Sequence, residues 1–94
     1  MDEEGFVRFL EGQGLATNGI NTRKNLANKV SEIIGKDLDD IVADDKSMYN
    51  AIMVLQNIDN PAHKPRQNAL RKYHAFTNGT DFPRIKVYES QNGI

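Results

Sequence analysis

PRQNALRKYHAFTNG, residues 65–79, is the stretch on which the fold reading turns. Pro65 suits a first helical position, where its missing N–H costs nothing. Ala69, Leu70, Tyr73 and Phe76 then converge on one side at three- and four-residue spacing, while Asn68, Arg71, Lys72 and Ala75 converge on the other. Gln67 and His74 lie on the flank, and Gly79 supplies a stop. This pattern predicts an amphipathic helix whose apolar side needs partners and whose basic side needs an explanation. His74 is read as a surface histidine beside Arg71.

Upstream, the same periodicity predicts three partner helices. The first spans about residues 2–13, with Phe6, Val7, Phe9 and Leu10 on one face and Asp2, Glu3 and Glu4 at its positive end. A second runs from Thr17 or Asn18 to Gly35. Ile20, Leu26, Ala27, Val30, Ile33 and Ile34 share one side, and Asn21, Lys24, Asn25, Asn28 and Glu32 the other. GKDLDDIVADD, residues 35–45, is predicted as a connecting turn from which Leu38 and Ile41 reach the core. The third helix covers about residues 45–58, with Met48, Ala51, Ile52, Leu55 and Ile58 inward; Tyr49 and Met53 either pack a second neighbour or form an exposed contact. The expected core is Phe9, Leu10, Leu26, Val30, Ile33, Ile52, Leu55, Leu70, Tyr73 and Phe76. The fold class is therefore all-α, a compact bundle of four helices over residues 1–79. Residues 80–94 are expected as a C-terminal tail or linker, irregular or briefly extended through the Ile85/Val87 alternation.

The chain of 94 residues, 38% hydrophobic and 27% charged, suits one folded domain rather than a disordered one. Its formal net charge of −1 hides an asymmetry. Residues 1–59 hold six Lys/Arg against eleven Asp/Glu, whereas residues 60–94 hold six against two. A segregated charge of this kind bears on partners more than the total does. No cysteine is present, which excludes disulfides and thiolate catalysis. The acidic start is unlike a signal peptide and no apolar run could span a bilayer, so a cytoplasmic protein without membrane contact is expected. Asn78-Gly79-Thr80 matches a glycosylation acceptor pattern and is read as a turn.

No catalytic pattern emerges. The acidic cluster after Asp37 fails as a calcium loop because its fifth position is Ile41. His63 and His74 are too isolated to bind a transition metal without cysteine. No phosphate loop, HExxH or nucleophile elbow occurs. No enzyme activity and no cofactor are expected.

GFVRFLEGQGLATNGINTRKNLANKV, then GKDLDDIVADDKSMYNAI, then RQNALRKYHAFTNG together resemble the SAM-like, core-binding amino-terminal domain of phage integrases and other tyrosine recombinases. The corresponding residues are Phe9 and Leu10, Gly14 and Leu15, Asp37, Leu38 and Ile41, and Ala69 to Arg71 with Tyr73 and Phe76. The resemblance covers roughly residues 5–79 and implies a four-helix SAM-like bundle that grips double-stranded DNA through its second and fourth helices. The implied DNA-binding residues are Lys24, Asn25, Asn28, Lys64, Arg66, Asn68, Arg71 and Lys72. That family's catalytic constellation of Arg, His-x-x-Arg and Tyr is not in this chain, so Tyr49, Tyr73 and Tyr88 carry no nucleophile role. A catalytic domain in a parent protein is an implied partner. The alternative is a small protein-interaction or inhibitor domain, phage-encoded or accessory to a restriction enzyme. The plainest alternative is a solvated charged face with no specific partner.

Overall fold

The computed structural model describes residues 1–94 as six helices with no strand. They are α1 (Glu3–Gly12), α2 (Thr17–Ile34), α3 (Leu38–Ala43), α4 (Asp45–Gln56), α5 (Pro65–Asn78) and α6 (Ile85–Gln91). Aspartates set three of the starts. Asp2 accepts from the Gly5 N–H at 3.0 Å, Asp37 from the Asp39 N–H at 3.0 Å and Asp44 from the Ser47 N–H at 2.9 Å. Each satisfies a donor that a helix N-terminus leaves orphaned. These bonds hold the carboxyls of Asp37 and Asp44 below the usual carboxylate range. Three of the eleven acidic residues among residues 1–59 therefore serve as helix caps at these starts.

The expectation of four helices and a tail is corrected at two places. Residues 38–43 form a helix rather than a turn, since Asp37 caps them and extended Asp44 (φ −130°, ψ 125°) separates α3 from α4. Residues 85–91 form α6 rather than an extended segment. Phe82 and Tyr88 join the core cluster as the chain returns over the flank of α5. That return also corrects the reading of His74, which is buried, its Nδ1 3.1 Å from the Thr80 carbonyl and its ring edge-on to Phe82.

Close backbone packing joins α1 through α5, with α2 against α5 and α3 against both α4 and α5. Leu10, Val30, Ile52, Leu55, Leu70 and Tyr73 are buried as expected, and Phe9, Leu26 and Phe76 are half-buried. Ile33 is 38% exposed, because it faces the shallow groove between α2 and α4. Ile58 is exposed too, since α4 stops at Gln56. Phe6 sits centrally, edge-on to Tyr73 at 5.1 Å between ring centroids. The Tyr73 hydroxyl accepts from the Asp2 N–H at 2.8 Å and donates to Asp39, tying α5 to the starts of α1 and α3. Gly5 admits this packing: a Cβ there would lie 2.7 Å from the Phe76 ring.

Helix α6 is held by side chains. Tyr88 stacks on Tyr49 of α4 at 5.0 Å, and the Tyr49 hydroxyl donates to Glu89 at 2.6 Å. Tyr49 thus packs a second neighbour. No helix is long and apolar enough to cross a membrane.

Candidate nucleic-acid interface

Helix α5 begins without a cap of its own. Lys64, the residue before Pro65, has a left-handed backbone (φ 48°, ψ 51°), the sole positive φ outside glycine. The cap comes instead from Asp59, whose buried carboxylate accepts from the N–H groups of Arg66 (3.2 Å) and Gln67 (2.9 Å). The Arg66 guanidinium pairs with the same carboxylate at 3.1 Å, and its Nε is buried without a partner. Arg66 is thereby engaged inside the fold.

Arg71 is engaged as well. Its Nη1 donates to the carbonyls of Phe82 (2.9 Å) and Pro83 (3.2 Å), and its guanidinium carbon lies 5.8 Å from the Phe82 ring centroid. The side chain fastens the return segment that leads to α6, so Arg71 is not on a free surface opposite the core. Lys64 and Asn68 are exposed, with the Asn68 amide donating to the His63 carbonyl at 2.9 Å. The Lys72 ammonium donates to the exposed Gln13 side chain at 2.7 Å.

On α2, the residues implied by the resemblance do not meet those of α5. Lys24 turns toward α1, 3.7 Å from Glu3, in a groove shared with Glu4 and Arg8. Asn25 and Asn28 are exposed. At 100° per residue they project from the side of α2 roughly opposite Arg23 and Leu26, which meet α5. Arg23 takes the place foreseen for Lys24: it lines one groove with Asn68, Arg71 and Lys72 and another with His63, Pro65 and Asn68.

A third groove, of about 680 Å³, lies between α5 and α6. Lys64, Asn68 and Arg71 line one wall, Arg84 and Lys86 the other. Sequence reasoning missed Arg84 and Lys86 because they stand in the presumed tail. The signal that could have found them is the cationic excess of residues 60–94, to which both contribute. The three grooves share Asn68 and so adjoin. Six cations line them, namely Arg23, Lys64, Arg71, Lys72, Arg84 and Lys86, against two carboxylates, Asp81 and Glu89. None of the six forms an intramolecular ion pair within 4.0 Å. Such a surface attracts polyanions through summed charge. No three His, Asp or Glu side chains come together as a metal site.

Comparison with protein-family models, curated proteins and solved structures gives no match.

Proposed function

We propose that the chain is a non-catalytic DNA-binding module of the kind implied by its resemblance to the core-binding domains of tyrosine recombinases. In this reading α1, α2, α4 and α5 correspond to that family's four SAM-like helices, with α3 and α6 added. The supporting observation is the three adjoining grooves among α2, α5 and α6, lined by six cations and two carboxylates on a protein of net charge −1. Lysine and arginine position a DNA backbone, while exposed amides such as Asn68 suit base edges or sugars.

The test is titration with duplex DNA at about 50 and about 200 mM salt, where counterion release makes affinity fall steeply. Arg23→Ala with Lys72→Ala is expected to leave the protein folded and to make the log–log salt slope shallower by about 0.9 for each phosphate no longer neutralised. Absence of duplex binding at about 50 mM salt, where electrostatic attraction is strongest, overturns the reading.

One observation favours the protein-interaction alternative. Ile33 and Val54 are exposed along an apolar groove between α2 and α4, far in character from the cationic face. If Ile33→Ser and Val54→Ser abolish association with a protein while DNA binding is absent, that alternative takes precedence.

A further inference from the structure

We infer that the groove between α5 and α6 is a phosphate-binding channel that seats a single sugar–phosphate strand, with Lys64, Arg84 and Lys86 as its phosphate ligands. The inference rests on the DNA-binding reading and extends it to a site and residues outside the α2–α5 surface. The three side chains belong to exposed residues, line one concavity of about 680 Å³ and have no ion-pair partner in the protein. Arg71, anchored on the Phe82 and Pro83 carbonyls, adds a fixed positive charge to the same wall. The chain has thirteen Asp/Glu, yet Glu89 is the one carboxylate in the groove, and it already accepts the Tyr49 hydroxyl at 2.6 Å.

Four cations gathered with one carboxylate, Glu89, are in excess and repel one another, and that repulsion is relieved by an anion with several charges in a row. A phosphodiester strand supplies this. Exposed Asn68 on the α5 wall offers its amide oxygen and the N–H not given to the His63 carbonyl to the strand's sugars and bases. An acidic peptide fits less well, because peptide docking draws on apolar anchors and only Met53 and Ile85 are apolar here. Helix α6 is held against α4 by the Tyr49–Tyr88 stack, which sets the far wall of the groove.

The experiment follows backbone amide shifts of the full chain on addition of oligothymidylate, inorganic tripolyphosphate, duplex DNA or polyglutamate. It compares wild type with Lys64→Gln/Arg84→Gln/Lys86→Gln, and with Lys86→Gln alone should the triple variant not fold. Oligothymidylate and tripolyphosphate are expected to move the amides of residues 64 and 84–86 in the wild type. The triple variant is expected to lose this response, and its duplex salt slope should be shallower by about 2.7, or about 0.9 for the single variant. A folded variant with the wild-type slope, alongside a shallower slope for Arg23→Ala/Lys72→Ala, overturns the channel and leaves the DNA reading standing. Oligothymidylate binding at these amides without duplex binding does the reverse. Silence of both phosphate probes, or a stronger response to polyglutamate, overturns the channel outright.

Discussion

Asp59 and His74 show how single side chains acquire roles that neighbouring letters do not disclose. The Asp59 carboxylate, with a side chain 0% exposed, gathers two backbone N–H groups of α5 and the Arg66 guanidinium. Removing it strands all three donors, whereas removing Arg66 leaves the carboxylate still bonded at a helix N-terminus. Asp59→Ala is therefore expected to cost about 2–3 kcal/mol, and Arg66→Met clearly less. Chemical denaturation of both variants checks the order; equal losses would mean that the ion pair, not the cap, dominates. His74 is held below its ordinary pKa of 6.5 chiefly by burial, and so is uncharged at neutral pH. The unfolded chain then binds the extra proton first, so the stability contributed by the neutral ring is present above pH 6.5 and is lost as pH falls toward the depressed native pKa. Asp37 and Asp44, whose pKa values are lowered from 3.8, keep their contributions through that window. The melting temperature should drop between pH 7 and pH 5, and His74→Asn, which retains a donor near the Thr80 carbonyl, should flatten the drop. An unchanged pH profile in that variant would remove His74 as the cause.

At the scale of elements, α6 decides most of what differs from a four-helix bundle. It places Lys86 beside α5, with Arg84 just before it, while the segment that leads into it covers His74 with Phe82 and takes Arg71 onto the Phe82 and Pro83 carbonyls. Tyr88, 8% exposed, stacked on Tyr49 and tilted against Phe82, is the main side chain that docks it. Tyr88→Ala is expected to destabilise the whole domain by about 3 kcal/mol, within the range for large aromatic truncations. Denaturant melts read by far-ultraviolet dichroism should show one cooperative transition shifted to lower denaturant. Faster amide exchange confined to residues 80–94, with the rest at wild-type stability, would instead mark α6 as separately detachable. Helices α1, α2, α4 and α5 were readable because each carries its own apolar stripe at helical spacing, with Gly or Pro near an end of α1, α2 and α5 and aspartate at the start of α4. Six-residue α3 and seven-residue α6 are too short for a periodic stripe, so their helicity depends on the caps and partners that packing supplies.

Across the whole molecule, charge is sorted by use. Asp2, Asp37, Asp44 and Asp59 cap helices, while six cations without ion-pair partners line the grooves around α5, Arg71 among them held by backbone carbonyls. The sequence by itself determined the all-helical class, the positions of the long helices, most of the buried side chains and the cationic excess of the last third. These follow from local periodicity, capping chemistry and counting, none of which needs a partner segment. Tertiary structure alone decided which cations stand together. Arg23 rather than Lys24 meets α5 because helix rotation, set by the packing of α2 on α5, chooses between adjacent residues. Arg66 and Arg71 are bound inward because the loops flanking α5 fold back on it, one bringing the Asp59 carboxylate and the other the Phe82 and Pro83 carbonyls. Arg84 and Lys86 face α5 because Tyr49 and Tyr88, 39 positions apart in the chain, stack across α4 and α6. Hydrogen bonds act within about 3 Å and charges within about 10 Å at ordinary salt, and only the folded chain brings residues of separate elements within that reach.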